Sequence, residues 1–516
     1  MSWQPEVDEL ARRRAFALEM GGEEAARRQH EAGKLTARER IELLLDPDSF
    51  RELGILAGRG EYDEDGKLIK VTPSNSIIGK GRIDGRKVVI SADDFTLRGG
   101  SSETAIAEKW LYAERMAREM RLPLIRLVDS AGGSVRLLEQ QGATKIPGYP
   151  TWHSADALGI VPVVGVALGS CAGLGAVKVA ESHFSVMVKG TSQVFAAGPP
   201  VVEEGMRQRL TKEELGGYRV HARGSGVVDN EADSEQEALA EVRRFLSYLP
   251  PNVYRLPRRA PSNDDPERRD QALLSIIPRD RRRVYDARKI LDLVLDKGSI
   301  FEIGRHNGPS VITCLARLDG HPVGVLANDP YHYGGAMTLR SSQKIESFVD
   351  FCDTFHLPLV NFFDQPGVMI GREAEQAGTL RAAIRALSAI GQSRMPWCTI
   401  IVRRAFGVAG AAHGRLGGIN MRFAWPSASW GSIPIEGGIA AAYRRELAAH
   451  PDPAARLAEL EAHFGRFTSP MRTAERFGVN DIIDPRETRP LLCDWIEDAY
   501  AQLPELLGPS VRTMRR

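Results

Sequence analysis

The chain lacks an excess of charge of either sign: its 516 residues carry 68 Lys and Arg against 67 Asp and Glu, a net charge of +1. Binding to nucleic acid or to a membrane surface through the overall field needs a basic excess, so we predict neither partner. An uncharged run long enough to span a bilayer, residues 157–177, contains Pro162 and five glycines. It is therefore predicted to be a buried strand that turns into a helix.

Cysteine is scarce as well. The sequence has five, none of them in a Cys-x-x-Cys pair: Cys171, Cys314, Cys352, Cys398 and Cys493. This spacing is atypical of zinc, iron–sulfur and dithiol redox sites, and we expect no metal in the chain. The N-terminal residues have mixed charge and lack the apolar core of a secretory signal. We therefore predict a cytoplasmic location.

The common catalytic motifs are also missing. The sequence has no Gly-x-Ser-x-Gly elbow, no His-Glu-x-x-His helix, no Walker loop, and no Gly-x-Gly-x-x-Gly between a strand and a helix with an acid about 20 residues on. Those absences argue against serine hydrolases, zinc proteases, P-loop enzymes and dinucleotide-binding domains. If the chain is an enzyme, its chemistry has to come from less conventional groups.

What the sequence does contain is an internal repeat. The two halves align without a gap at an offset of 235 residues, with fourteen identities between residues 82–132 and 317–367. A stretch with five prolines, residues 249–266, lies between them and has the composition of a connector. We predict an N-terminal domain over 1–250, a linker over 251–266 and a C-terminal domain over 267–516.

Each repeat is predicted to alternate strands with helices. The first copy reads as a strand at 88–92, a helix at about 103–120 and a strand at 124–128, and the second copy as the same elements at 323–327, about 342–355 and 359–363. Such alternation predicts parallel β-α-β units. The fold class is therefore α/β, with two homologous domains.

Glycine turns follow four of the predicted strands. They are Leu97-Arg98-Gly99-Gly100 and residues 169–175 in the first copy, and Tyr333-Gly334-Gly335-Ala336 and residues 406–410 in the second. Backbone N–H groups at such turns face the ligand side of an open α/β sheet. Paired amides could form an oxyanion hole that stabilises the enolate of a thioester. An ordinary strand-to-helix turn is the alternative reading of each turn taken alone.

Few side chains compete for a catalytic role. Asp129 and Asp364 end equivalent strands and could act as acids or bases, although turn capping through backbone N–H groups is favoured. His413 is expected to be structural, and Cys171, without a His–Asp partner, a buried small residue. The arginine-rich stretch 279–283 could meet phosphates, but a solvated face is the favoured interpretation.

Several segments together resemble one family. They are Asp93-Asp94-Phe95-Thr96, Leu127-Val128-Asp129-Ser130, Gly169-Ser170-Cys171, Ala197-Gly198-Pro199-Pro200, Glu214-Leu215-Gly216-Gly217 and Asp364-Gln365-Pro366-Gly367. In this order they are similar to the carboxyltransferase (β) subunit of biotin-dependent acyl-CoA carboxylases, the propionyl-CoA and methylcrotonyl-CoA carboxylase group. The resemblance implies two crotonase-like (ClpP/crotonase) β-β-α superhelix domains and covers nearly the whole chain.

The resemblance also implies the reaction and the partners. Carbon dioxide would pass from carboxybiotin to the α carbon, or the vinylogous γ carbon, of an acyl-CoA. The biotin would be carried by a separate α chain with biotin carboxylase and carboxyl carrier domains. The N-terminal domain would bind acyl-CoA and the C-terminal domain of another copy carboxybiotin, within a homo-hexamer built as a dimer of trimers. Released biotin would take the α-proton.

Site residues carry over from the family by position. The resemblance places the oxyanion amides at Gly173 and Leu174 for the acyl-CoA enolate, and at Val408 and Ala409 for the biotin enolate. The other acyl-CoA-binding positions are Gly99, Gly100, Ser130, Cys171 and Ala172. The other biotin-binding positions are Gly334, Gly335, Phe406, Gly407 and Ala411.

This sequence departs from the family at the glycine turns. The family commonly has Gly at positions 174 and 408 and a polar residue at position 411, where this chain has Leu174, Val408 and Ala411. The downstream segment 431–438 differs as well. Backbone N–H groups survive such changes, so we expect catalysis to be kept and acyl selectivity to change.

Three other functions stay open. The chain could be the carboxyltransferase subunit of a biotin-dependent acyl-CoA decarboxylase, which has the same fold. It could be a crotonase-type hydratase or isomerase, although those need a positioned glutamate. It could also be a non-catalytic scaffold of a carboxylase complex.

Overall fold

The computed structural model describes residues 2–144, 146, 148, 152, 154–511 and 514. The chain divides into two compact units, Met1–Arg255 and Leu256–Arg515. The division falls inside the proline-rich stretch, and the residues after it belong to the second unit, where Ala260 N–H donates to the Gly320 carbonyl at 2.9 Å. The predicted bounds of the linker and domains stay a prediction.

The first unit contains ten strands and eleven helices in its described part. The strands are β1 (Arg51–Leu53), β2 (Gly58–Tyr62), β3 (Leu68–Pro73), β4 (Ser76–Ile83), β5 (Arg86–Asp93), β6 (Leu124–Ser130), β7 (Val163–Ala172), β8 (Phe184–Val188), β9 (Gln193–Phe195) and β10 (Asn230–Ala232). The helices are α1 (Gln4–Glu19), α2 (Glu23–Glu31), α3 (Ala37–Leu44), α4 (Ala107–Met120), α5 (Arg136–Gln141), α6 (Ser154–Leu158), α7 (Leu174–Ala180), α8 (Pro199–Met206), α9 (Lys212–Gly216), α10 (Tyr218–Val220) and α11 (Glu235–Ser247).

The second unit continues the numbering. Its strands are β11 (Phe301–Glu302), β12 (Val311–Leu318), β13 (His321–Asn328), β14 (Leu359–Gln365), β15 (Trp397–Phe406), β16 (Asn420–Ala424), β17 (Ser429–Gly431) and β18 (Asp481–Ile482). Its helices are α12 (Ala287–Val294), α13 (Leu339–Thr354), α14 (Arg372–Gln376), α15 (Thr379–Gln392), α16 (Ile435–Ala442), α17 (Arg444–Ala449), α18 (Pro453–Gly465), α19 (Pro470–Ala474) and α20 (Thr488–Gln502).

The two units share one sheet topology, which confirms the duplication. The first sheet runs β1-β4-β5-β6-β7-β8-β10 with β9 beside β7, and the second β11-β12-β13-β14-β15-β16-β18 with β17 beside β15. The strands from β5 to β10 and from β13 to β18 pair in parallel, as predicted. The carboxyl ends of these strands therefore meet at one edge of each sheet.

Each sheet also has an antiparallel part that the β-α-β pattern did not predict. β4 pairs antiparallel with β5, and β12 with β13. The connecting residues are Asp84-Gly85 and Asp319-Gly320, all with positive φ. Two consecutive left-handed residues are what a tight two-residue hairpin turn requires, and Asp-Gly adopts them readily. The purely parallel arrangement expected from the sequence is wrong for the first two strands.

Two predicted helix starts also differ. The helix predicted from residue 103 begins at Ala107, and residues before it are tied to a neighbouring loop by the Asn75 N–H, which donates to the Thr104 carbonyl at 3.3 Å. The helix predicted from residue 342 begins at Leu339 because Thr338 caps it, accepting from the Ser341 N–H at 3.2 Å. Of the helices in the described ranges, none is long and apolar enough to cross a membrane. Residues 157–177 form the end of α6, the strand β7 and the start of α7, as predicted.

Candidate active site

One turn of the first unit presents a free backbone amide. β7 ends at Ala172, Gly173 turns the chain with φ 55°, and α7 begins at Leu174. The Gly173 N–H donates to the Phe195 carbonyl at 3.1 Å. As the first residue of a helix, Leu174 has no intrahelical acceptor, and its N–H has none elsewhere in the described chain. Of the predicted pair, Leu174 thus has a free donor, whereas the Gly173 donor is engaged.

The equivalent turn of the second unit presents free backbone amides as well. Gly407, with φ 63°, follows β15 and donates its N–H to the Gly431 carbonyl at 3.1 Å, as Gly173 does to Phe195. The next two N–H groups, of Val408 and Ala409, have no acceptor among the residues that the structure describes. By this correspondence the partner of Leu174 in the first unit is Gly175, one residue beyond the pair expected from the sequence.

The Gly-Gly turns use their amides internally. Gly100 N–H donates to the Leu97 carbonyl at 3.0 Å and Gly335 N–H to the His332 carbonyl at 2.9 Å, so each turn is a single 3₁₀ turn. Gly100 is required by space as well as by its φ of 62°, because a Cβ there would lie 2.4 Å from the Asp129 carbonyl oxygen. The N–H groups of Gly100 and Gly335 are therefore engaged within their own turns, which shape the strand ends.

The carboxylate of Asp129 is fully buried among side-chain donors. Oδ2 accepts from Gln29 Nε2 at 3.0 Å, from Lys34 Nζ at 3.0 Å and from Arg40 at 3.2 Å. Arg40 also binds Glu235 through Nε and Nη2, at 2.8 and 2.7 Å. The expectation that Asp129 caps its turn is wrong, because the donors come from side chains of the N-terminal segment.

Asp364 is surrounded by cations from its neighbouring strand. Arg403 Nε and Tyr285 Oη each donate to Oδ2 at 3.0 Å, and Arg404 donates from Nε to Oδ1 at 2.6 Å. The Arg404 backbone N–H is a further donor, at 3.1 Å. The sequence analysis favoured Asp364 as a cap of its own turn. In the structure it accepts a backbone N–H from another strand instead. Burial raises the pKa of the Tyr285 hydroxyl, which keeps it protonated beside the carboxylate.

Other predicted residues are packed around these turns. Cys171 and Ala172 of the first unit and Phe406 of the second are buried. Burial raises the pKa of the Cys171 thiol, so this residue is a small buried group, as favoured. Ser130 Oγ donates to the Gly100 carbonyl at 2.7 Å, which ties β6 to the Gly-Gly turn. Ala411 is exposed beside the second amide turn.

His413 and the arginine-rich stretch 279–283 lie where the favoured interpretations place them, as a structural histidine and a solvated face. Burial lowers the pKa of His413 to about 4, so its ring is neutral at pH 7, and the ring lies 5.8 Å from that of Phe363. The side chains at 279–283 are exposed.

A cleft of about 880 Å³ in the first unit was missed by sequence reasoning. Gly99 and Ser170 lie in its wall, next to the strand ends. Five cationic side chains line it, with no Asp or Glu among the described lining residues: Arg28, Lys34, Lys70, Arg98 and Lys212. They come from four separate parts of the chain, so no single sequence motif contains them.

Three of these cations are available to a ligand. Arg28, Lys70 and Arg98 are exposed and have no carboxylate partner in the described part of the chain. Lys34 is bound to Asp129, and Lys212 Nζ donates to Ser170 Oγ at 3.1 Å. A cleft with several unpaired cations and no acid is complementary to a ligand that carries several negative charges.

Comparisons with known proteins agree on one group. Residues 28–503 match the family model of the carboxyl transferase domain. The chain is 36% identical to the propionyl-CoA carboxylase, carboxyltransferase subunit, of Haloferax mediterranei over 493 residues, 95% of each chain. It is 32% identical to the methylmalonyl-CoA decarboxylase subunit alpha of Veillonella parvula over 491 residues, 94% of each chain. The crystal structure of the transcarboxylase 12S hexamer, with methylmalonyl-coenzyme A bound, has a TM-score of 0.86 at 30% identity and covers 97% of this chain and 96% of its own.

Proposed function

This chain belongs to the carboxyl transferase domain family, and from that premise we propose that it moves a carboxyl group between biotin on a partner chain and an acyl-CoA. The fold of the family is the duplicated crotonase-like fold. Two observations carry the proposal: each unit presents free backbone amides at the turn that follows its long strand, and an acid-free cationic cleft lies beside that turn in the first unit.

The cleft of the first unit is assigned to the acyl-CoA. Coenzyme A carries three phosphate groups, and Arg28, Lys70 and Arg98 supply unpaired cations for them. Gly99 and Ser170 connect this cleft to the strand ends where Leu174 presents its N–H. The thioester oxygen placed there would gain charge as the enolate forms, and a fixed amide donor stabilises that charge.

The amides of the second unit are assigned to biotin. Val408 and Ala409 fit a ureido oxygen, because both N–H groups lack an acceptor among the described residues and Val408 is 65% exposed. What the bound cofactor supplies is the carboxyl group and then a ring nitrogen that accepts the α-proton. Neither Asp129 nor Asp364 is free to replace that nitrogen as a base, because both are fully buried among cations.

The assembly is also proposed. A biotin-carrying α chain with biotin carboxylase activity has to deliver the carboxyl group, and a homo-hexamer built as a dimer of trimers would let units of two copies complete each site. The hexamer of the transcarboxylase 12S structure supports this arrangement. A cytoplasmic location is kept on the ground that all five cysteines are unpaired and buried.

The decisive experiment needs only the purified chain. Methylmalonyl-CoA is incubated with it in the presence and absence of free biotin, and propionyl-CoA is measured. We expect propionyl-CoA to form only with biotin, because the carboxyl group needs the ring nitrogen as acceptor. Absence of biotin-dependent turnover across a panel of malonyl-type acyl-CoAs would contradict the proposal. The panel also tests whether Leu174, Val408 and Ala411 change the acyl selectivity.

The decarboxylase direction is the second candidate, favoured by the 32% identity to the Veillonella subunit. Both directions use the same half-reaction, so the partner distinguishes them. Purification of the chain from its own cells with a biotin carboxylase supports carboxylation, whereas purification with membrane proteins supports decarboxylation.

A further inference from the structure

Arg404 connects three segments of the second unit. From β15, its Nη2 donates to the carbonyl of Gly334 at 2.6 Å and to Asp364 Oδ2 at 3.0 Å. Its Nε and its backbone N–H donate to the other carboxylate oxygen of Asp364. The side chain is 23% exposed, so most of its guanidinium is enclosed by these acceptors. One side chain thus links the Tyr333–Gly335 turn to the end of β14.

In the first unit the same turn is held in another way. The residue equivalent to Arg404 is Ser170, which pairs with Gln193 as Arg404 pairs with Ser429. Ser170 Oγ donates to Gln193 Oε1 at 3.5 Å, and the Gly99 carbonyl accepts from the Ala131 N–H at 2.9 Å.

Proline explains why the second unit needs a different donor. The residue equivalent to Ala131 is Pro366, which has no N–H to donate. The neighbouring bond is unchanged between the units: Ser102 N–H donates to Gly132, and Met337 N–H to Gly367, each at 3.0 Å. The bond that proline removes is replaced by the one from Arg404. The carbonyl of the second glycine also changes its donor, from Ser130 Oγ at Gly100 to Asn328 Nδ2 at Gly335, at 2.7 and 3.0 Å.

We propose that Arg404 is the positioning residue of the Tyr333–Gly335 turn, and through it of the face on which the second unit receives biotin. The role at the biotin face rests on the proposed function, whereas the role at the turn does not. Arg404 acts through the Gly334 carbonyl in the role that the Ala131 N–H has at Gly99. In the first unit the short side chain of Ser170 stands at the position of Arg404 and lines the cleft.

The test replaces the side-chain donor of the second unit with a backbone donor of the type found in the first unit. Arg404→Ser removes the donor to Gly334, and Pro366→Ala in the same chain restores a backbone N–H of the first-unit type. Asp364 keeps Arg403 and Tyr285 as partners of Oδ2 and the backbone N–H of residue 404 as a donor to Oδ1 in both variants. Arg404→Lys, alone and with Pro366→Ala, is a second series that keeps the charge beside Asp364.

The primary readout is amide hydrogen exchange, which needs no cofactor. The N–H groups of Gly335 and Ala336, bonded within the turn, are the reporters. We expect Arg404→Ser to speed their exchange at least about fivefold and the double variant to return it to within about twofold of wild type. The equivalent peptide over 98–101 in the first unit should not change, which makes it an internal control. Unchanged exchange in Arg404→Ser, or no recovery in the double variants, would overturn the proposal.

Turnover of methylmalonyl-CoA with free biotin gives the functional readout. We expect Arg404→Ser to lower kcat/KM for biotin at least about tenfold, with KM for the acyl-CoA within about twofold of wild type, and Pro366→Ala to recover most of the loss. A loss that the double variant does not recover would mean that Arg404 acts through its charge and would overturn the positioning role. A wild-type chain without turnover would contradict the proposed function and leave the exchange result standing.

Discussion

Arg403 donates from Nε to Oδ2 of Asp364 at 3.0 Å, and the residue at its place in the first unit is Gly169, beside the equivalent carboxylate of Asp129. A Cβ on Gly169 would lie 2.0 Å from Asp129 Oδ1. The two units therefore neutralise the equivalent buried aspartate with cations from different elements. The second unit uses arginines of the neighbouring strand β15, whereas the first has no side chain at Gly169 and brings in Lys34 and Arg40 from the N-terminal segment.

Gly169→Ala should therefore be strongly destabilising. The added methyl group meets a carboxylate that is held in place by three side chains, so overpacking should cost at least about 2 kcal/mol. The shift of the unfolding transition in a calorimetric scan measures this. Gly205→Ala is the matched control, since nothing lies within 4 Å of its Cβ and the residue is inside α8. That variant should be slightly stabilised, by about 0.5–1 kcal/mol; equal behaviour of the two would contradict the steric argument.

Arg40→Met removes the cation that Asp129 and Glu235 share. Both carboxylates are buried, and Arg40 itself is 1% exposed. Leaving them without this partner should cost about 3–5 kcal/mol in the free energy of unfolding. Arg27→Met, which breaks the exposed pairs with Glu24 and Glu31, should cost no more than about 1 kcal/mol. Chemical unfolding of both variants makes the comparison, and a similar small loss in both would show that the cluster does not stabilise the first unit.

Glu241 should make stability depend on pH near neutrality. Burial raises its pKa to about 7, while Asn230 Nδ2 donates to it at 3.1 Å. The folded state holds this proton more tightly than the unfolded state, so the stability is fully present below about pH 4.5 and is lost as the pH rises to about 7. Glu241→Gln removes that loss. The Tm of the variant should exceed that of wild type by an amount that grows from pH 5 to pH 7.5; a constant difference would contradict the assignment.

Much of the fold was predictable because its signals are local. The strand predicted at 124–128 is β6 over Leu124–Ser130, and its repeat at 359–363 is β14 over Leu359–Gln365. Buried parallel strands are continuous apolar runs, and duplication provided each of them twice. The antiparallel hairpins were missed although Asp84-Gly85 and its copy at Asp319-Gly320 are strong turn signals, because the α/β pattern was extended over them.

The site was predictable only where the backbone carries it. Glycine turns after strands indicated that backbone amides could form the site, and the resemblance placed them at Gly173, Leu174, Val408 and Ala409. The use of the Gly173 N–H by Phe195 could be seen only from the β7–β9 register. The cleft cations could not be found in this way, since burial and spatial grouping decide which of 68 basic residues face a ligand. The burial of Arg40 could not be predicted either, because its neighbours in sequence are also charged.

The role of the second amide turn can be tested by deleting one N–H. Val408 has φ −61°, which a proline adopts without strain, and its N–H has no acceptor among the described residues. Val408→Pro therefore removes a donor while Gly407 keeps its bond to Gly431. Loss of one oxyanion donor costs about 10²–10³-fold in kcat, and we expect that loss in biotin-dependent turnover of methylmalonyl-CoA.

Val408→Ala is the control for this variant, because it removes the exposed side chain and keeps the N–H. Its turnover should stay within about threefold of wild type, and both variants should unfold at the wild-type temperature. If the proline variant turned over as fast as the alanine variant, the amide would have no part in the reaction. A non-catalytic scaffold would show no biotin-dependent turnover in any of the three proteins, so the same series separates that function from a carboxyltransferase.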